Sequence, residues 1–158
     1  QKNIFVLTSW YIINYALFSS SIPWPIKFKS FLLRNFGAHI GKGVVIKPRI
    51  RIKYPWNLSL GDHVWVGEDV WIDNVDHVSI GSNVCISQGV FFLTGNHNYK
   101  TVDFRFYSSP IIVESEVWLT AKCILLPGAK VISGSIVPPA SIIKNEYKND
   151  RVRRKGNV

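Results

Sequence analysis

Aliphatic side chains recur at every sixth position through the second half of the chain, where Val113, Leu119, Leu125, Val131, Val137 and Ile143 fill consecutive slots. Leu60, Val66 and Ile72 form one earlier set and Ile80, Ile86 and Phe92 the next, while Ile40, Ile46, Ile52 and Leu58 open the series. Four residues after these anchors stand Val44, Val64, Val70, Val84, Val90, Val117, Cys123, Ala129, Ser135 and Ser141, every one small or β-branched. Gly41, Gly61, Gly67 and Gly81 directly follow an anchor, where a chain turning a corner benefits from a residue without Cβ. This beat differs from the two-residue alternation of an ordinary β-sandwich, whose turn spacing also varies. It predicts an all-β coil of three short strands and three corners per eighteen residues, the distance from Val113 to Val131. Anchors point inward, and stacked coils bury a continuous core that no single coil buries alone.

Two interruptions carry information. Leu60 to Ile80 is twenty residues, so about two extra residues bulge within Asp73 to Ser79. Phe92 to Val113 is twenty-one, so about fifteen residues leave the coil as a loop between Thr94 and Ile112, and long excursions from a rigid scaffold are often functional. The first 36 residues differ in kind. Asn3 to Ser19 is apolar with helix-compatible spacing, Pro23 and Pro25 break the chain, and Trp24 to Phe36 sets Lys27, Lys29 and Arg34 among aromatic and aliphatic residues. That second stretch reads as a short basic amphipathic helix, which either packs on the first coil or meets a membrane surface. Two segments result: a helical one over 1–36 and a repeat domain over 37–158, with its excursion at about 94–112 and a basic C-terminal tail.

The length of 158 residues suits one folding unit, and 47% apolar against 18% charged residues is a globular balance. The apolar run Ile4 to Phe18 spans about 15 residues, short of the roughly 20 that cross a bilayer as a helix, and no small-residue cleavage site follows it. Cys85 and Cys123 have neither metal-ligand nor disulfide-framework spacing, which fits a reducing compartment such as the cytoplasm. The net charge of +9 comes largely from two clusters, Lys42, Lys47, Arg49, Arg51 and Lys53, then Lys144, Lys148, Arg151, Arg153, Arg154 and Lys155. Such clusters suit phosphates, anionic lipid or nucleic acid when they are more than a solvated face. Nucleic acid is not expected, because no recognition motif or stacking platform accompanies the charge. The aromatic and basic residues of the N-terminal segment, with Lys47 to Lys53, favour peripheral contact with an anionic membrane, on its inner face.

The six-residue repeats, the excursion carrying Thr94-Gly95-Asn96-His97-Asn98-Tyr99, and Val117-Trp118-Leu119-Thr120-Ala121 followed by Leu126-Pro127-Gly128 resemble the hexapeptide-repeat acyltransferases. Within that family, Phe36-Gly37-Ala38-His39-Ile40-Gly41-Lys42-Gly43, Lys53-Tyr54-Pro55-Trp56-Asn57-Leu58 and Trp71-Ile72-Asp73-Asn74 look like the WcaF-type group, associated with colanic acid and related exopolysaccharides. The resemblance implies a left-handed parallel β-helix, a homotrimer, and acetyl-CoA lying between subunits as co-substrate. It implies O-acetylation of a sugar or lipid-linked glycan. His97 matches the family's catalytic base; a hydroxyl is a poor nucleophile at neutral pH, and imidazole accepts a proton there.

Asp73, Asn74, Asn96, Tyr99 and Trp118 are the candidates for the acceptor, with Asp76 in the same bulge and Asn98 ordering the loop beside Asn96 and Tyr99, though turn-forming roles compete. Ala121, Pro139, Lys144, Arg153 and Arg154 are the candidates for the cofactor. No metal is expected, since the γ-class carbonic anhydrase pattern wants a histidine where Val102 stands. The chain departs from the family at Thr120, in place of a common glycine, and at Pro138-Pro139-Ala140-Ser141, where Pro139 removes a backbone N–H. A second reading therefore stays open, a non-catalytic structural or regulatory trimer with a decayed cofactor groove.

Overall fold

The computed structural model describes residues 2–149. Its core is a three-sided parallel β-helix, one sheet to each face. The first face stacks His39–Ile40, Leu58–Leu60, Val78–Ile80, Ile111–Val113, Lys130–Val131 and Glu146–Tyr147. The second stacks Val45–Ile46, Trp65–Val66, Cys85–Ile86, Trp118–Leu119 and Ile136–Val137, and the third Arg51–Ile52, Trp71–Asp73, Phe91–Leu93, Ile124–Leu125 and Ile142–Ile143. Anchors lie in register from coil to coil: Ile46 on Val66, Val66 on Ile86, Ile86 on Leu119 and Leu119 on Val137. All the anchors are buried, as are the smaller residues four places on, apart from the half-buried Ser141. Parallel strands demand a crossover between partners, and here the rest of each coil supplies it.

The first set of anchors ends differently from its six-residue reading. Leu58 and Leu60 share one strand, both inward, and it is Leu60 that pairs with Ile40. The cause is a two-residue excess at the corner after Ile52, taken up by a 3-10 turn at Pro55–Asn57. The bulge at 73–77 sits on the same edge one coil later, with Leu58 on Val78 and Leu60 on Ile80. Asn57 Nδ2 donates to the carbonyls of Asn74 and Val75 at 3.2 and 3.0 Å, tying the two insertions together.

The corner glycines also have a reason other than φ. Gly41, Gly61 and Gly81 are not among the residues with positive φ. A Cβ on Gly41 would stand 2.5 Å from the carbonyl carbon of Gly61, and one on Gly61 2.7 Å from that of Gly81. Successive corners touch backbone to backbone, so the stacking itself excludes a side chain.

The N-terminal segment closes the open end of this prism. Helix α1 spans Ile4–Ile13, capped by Asn3 accepting from the Phe5 N–H, and runs into a π-helical turn at Asn14–Phe18. Helix α2 spans Ile26–Asn35. The first coil's strands have no preceding coil to donate to their carbonyls, and buried carbonyls without donors are costly. Three side chains supply the donors. Arg34 donates to the Ile40 and Gly41 carbonyls, Lys29 to those of Ile46 and Lys47, and Trp10 Nε1 to that of Ile52 at 2.9 Å. One donor thus serves each face. Trp10 is fully buried against Phe18 and Phe36. Lys29 is buried too, and desolvation pushes its ammonium pKa down. The basic helix therefore packs on the first coil through Lys29 and Arg34, the first of the two placements its sequence leaves open.

The excursion is a hairpin. Gly95–His97 pairs antiparallel with Phe106–Ser108, placing His97 opposite Phe106. Its base is fixed by the buried Thr94, whose carbonyl accepts from the Ser109 N–H and whose hydroxyl donates to the Asp73 carbonyl at 3.0 Å. The chain re-enters the core at Ile111. Both cysteines are free thiols, and burial pushes each pKa up.

Candidate active site

His97 stands on the outgoing strand of the hairpin, exposed to solvent. Its Nδ1 lies 2.7 Å from the Phe104 carbonyl oxygen. A carbonyl only accepts, so Nδ1 carries the ring proton and Nε2 presents its lone pair outward. This is the tautomer a general base requires. The Phe106 ring, edge-on with centroids 5.4 Å apart, restricts the imidazole plane, and the His97 N–H donates to Asn96 Oδ1 at 2.8 Å.

Phe104 reaches His97 through a strained backbone. Its φ is 45°, in the left-handed region, which costs a bulky residue of the order of 1–3 kcal/mol. The turn holding it is cross-tied: Phe104 N–H donates to the Thr101 carbonyl, Thr101 N–H to the Asn98 carbonyl, and Asn98 N–H to the Arg105 carbonyl. The strain aims one carbonyl at Nδ1. On the same hairpin Asn98, Lys100, Arg105 and Tyr107 line a cavity of about 410 Å³. Of these, the sequence singles out only Asn98, as a residue that orders the loop. The signal for Arg105 and Tyr107 is the alternation Phe104-Arg105-Phe106-Tyr107, whose strand period sets both on the side away from Phe106, and no such pattern marks Lys100.

The other acceptor candidates divide. Asn96 is committed to the His97 N–H, and Tyr99 is 78% exposed beside Lys100. Asp76 braces the hairpin, accepting from Ser108 Oγ at 3.1 Å. Asp73 is paired with Lys53 at 2.8 Å. Asn74 is 0% exposed; its Oδ1 accepts from the Tyr54 N–H and its Nδ2 donates to the Tyr54 carbonyl. Both ends of that amide are spent on the neighbouring coil, which leaves nothing for an acceptor. Asn74→Ala should therefore cost about 2 kcal/mol, as unsatisfied Tyr54 groups would. Acceptor KM, measured well below the melting temperature, should stay unchanged; a raised KM at unaltered stability would return Asn74 to the acceptor site.

Trp118, the remaining acceptor candidate, and the cofactor candidates divide between two regions of the prism. Trp118 is on the second face, its Nε1 donating to Ser87 Oγ at 2.9 Å. Ala121 follows at the corner between the second and third faces, and its N–H has no protein partner among the described residues. Pro139 occupies the same corner one coil on, exposed, and Ala140 N–H is already donated to the Ala121 carbonyl at 3.0 Å. Thr120 Oγ1 donates to the Val137 carbonyl at 2.6 Å, so the hydroxyl that replaces glycine is satisfied within the coil. Lys144 is exposed at the corner between the third and first faces, the edge from which the His97 hairpin also leaves. Arg153 and Arg154 lie outside the described residues. No hydrogen bond or ring contact joins His97 to Trp118, Ala121 or Pro139, and one face of the prism separates their edges. Among the described residues no cluster of histidine, cysteine and carboxylate side chains suits a metal ion.

Comparison with known proteins bears on the same residues. No family model matches the chain. WcaF of Escherichia coli, named as a colanic acid biosynthesis acetyltransferase, is 36% identical over 134 residues, covering 85% of this chain and 74% of that protein. The galactoside O-acetyltransferase of Escherichia coli is 24% identical over 132 residues, covering 82% of this chain and 65% of the other. Among solved structures, a maltose O-acetyltransferase from Clostridium difficile superposes with a TM-score of 0.81 at 20% identity, covering 92% of this chain and 79% of that one. A hexapeptide-repeat acetyltransferase from Vibrio cholerae, crystallised with acetyl coenzyme A, gives 0.79 at 17% identity, covering 90% and 78%. The stacked six-residue coils, the single hairpin bearing His97 and the identity to WcaF across most of both chains agree: this chain belongs to the WcaF-type hexapeptide-repeat acetyltransferases.

Proposed function

We propose that the chain moves an acetyl group from acetyl-CoA to a sugar hydroxyl during assembly of an exopolysaccharide or other surface glycan, with His97 as general base. The observation that carries this reading is the Phe104 carbonyl on Nδ1, which leaves Nε2 free to take a proton. Nε2 removes the hydroxyl proton as the oxygen attacks the thioester carbonyl. The carbon–sulfur bond then breaks, and the departing thiolate takes the proton back from the imidazolium. Holding the two reactants in line contributes at least as much as the base.

The fit to acetyl-CoA is partial. The Ala121 N–H is available for a backbone contact, and the exposed Lys144 offers charge for the cofactor's phosphates. Pro138 and Pro139 have no N–H to give, and that of Ala140 is spent. The separation of His97 from Trp118 and Ala121 supports a homotrimer in which the hairpin of one protomer faces the second-face edge of the next. Lys100 and Arg105, which line the cavity on the hairpin that carries His97, suit an acceptor carrying phosphate, as a lipid-linked glycan does.

Release of free CoA from acetyl-CoA, assayed against a panel of glycans that includes polyprenyl-diphosphate-linked ones, tests the reading. Turnover with at least one acceptor is expected, together with calorimetric binding of acetyl-CoA that weakens as salt rises. No binding at millimolar acetyl-CoA would instead support the second reading, a non-catalytic trimer, which the two prolines favour. A monomer by light scattering at micromolar concentration would remove the shared site.

A further inference from the structure

Helix α1 is apolar on every side, yet Trp10 is its only buried residue. A helix with that composition belongs in a core or in lipid, and this one lies on the outside of the β-helix end. Phe5, Ile12 and Tyr15 are 76%, 64% and 81% exposed, and on the adjoining α2 Phe28 and Phe31 are exposed as well. The two helices cap the same end of the prism through Trp10, Lys29 and Arg34. The charge of that end is one-signed. Residues 1–61 hold nine lysines and arginines and no aspartate or glutamate; all ten acidic residues come from Asp62 onward. Of the nine, only Arg49 and Lys53 have a carboxylate ion-pair partner among the described residues. Lys2 and Lys27 accompany the exposed apolar side chains directly in sequence.

We infer that this end of the molecule docks onto an anionic lipid bilayer, with the outer side of α1 and α2 seated among the headgroups. No helix among the described residues is long and apolar enough to cross a membrane, so the contact is parallel to the surface rather than through it. Charge selects the occupant. A second copy placed here would oppose two surfaces of the same sign, whereas an anionic leaflet attracts each uncompensated lysine. The inference is independent of the acetyl-transfer reading, although it would bring the prism close to lipid-linked acceptors.

The test is flotation of the full chain with phosphatidylcholine vesicles containing about a third phosphatidylglycerol, against vesicles of phosphatidylcholine alone. Binding to the anionic vesicles only is expected, falling as salt is raised. The triple substitution Phe5→Ser, Ile12→Ser, Phe31→Ser removes exposed apolar surface and keeps every charge; it should lower partitioning about tenfold or more with the melting temperature preserved. Lys27→Glu alone should lower it about fivefold. Undiminished flotation of the triple variant would show that basic residues elsewhere carry the binding, and equal recovery with neutral vesicles would remove the charge argument. A wild-type oligomer that the triple variant loses without vesicles would assign the surface to a second copy. Each of these three results overturns the inference.

Discussion

His97→Ala should lower the acetyl-transfer rate by roughly 10² to 10⁴, the usual contribution of a general base, while acetyl-CoA affinity and melting temperature barely change. The structure explains why the losses separate in this way. His97 is exposed on a hairpin outside the prism and contributes nothing to the buried core. Its contacts are the Phe104 carbonyl, the edge of Phe106 and its own N–H to Asn96, and only the last survives truncation to alanine. The rate should stay low at saturating acceptor, because the missing group acts on the proton and not on binding.

The pH profile is an independent check. The wild-type rate should show a step on the acid side, since a general base works only in its unprotonated form. Residual activity of the variant should lack that step. If His97 merely ordered the loop, the Phe104 turn would loosen and acceptor binding would weaken, so more acceptor would restore the rate. A variant that turns over normally at saturating acceptor, with the pH step intact, would exclude His97 from the chemistry.

How much of this was legible in the sequence varies with the distance over which each interaction acts. The six-residue anchors are local and periodic, so the faces, the coil count and the hairpin's place follow from spacing alone. The slip at Leu58 shows the limit: a leucine six residues after Ile52 satisfies the beat, but Pro55 and Asn57 lengthen the corner and hand the register to Leu60. His97 was legible through its motif and its place in the single long excursion. The carbonyl that sets its tautomer was not, because the Phe104 contact depends on a left-handed backbone seven residues on. Asn74 read as a polar bulge residue, and only the coil stacked against it shows that both ends of its amide are taken by Tyr54. For Lys29 and Arg34 the sequence leaves packing on the first coil and surface contact both open for the same reason: the carbonyls they cap belong to strands more than five residues away in sequence.

Gly61→Ala should destabilise the protein by about 3 kcal/mol, at the upper end of what overpacking a tight interior costs. Gly134→Ala should cost only about 1 kcal/mol. The pair separates two explanations of corner glycines that the sequence leaves merged. Gly134 has φ of 78°, with nothing within 4 Å of the place a Cβ would take, so its penalty is conformational. Gly61 needs no unusual φ, but its Cβ would stand 2.7 Å from the Gly81 carbonyl carbon and the Ser82 nitrogen. Those are backbone atoms of the next coil and cannot rotate away. They are also held in place: Gly61 N–H donates to the Ile80 carbonyl at 2.8 Å and Asp62 N–H to Ser82 Oγ at 3.0 Å. Relief therefore requires the second and third coils to part at that edge, stretching the ladder between Leu60 and Ile80. In a stack where each coil is stabilised mainly by its neighbours, such a break weakens everything on either side. Denaturant midpoints of the two variants measure the difference, and equal losses would show that backbone conformation, not contact between corners, explains the glycines.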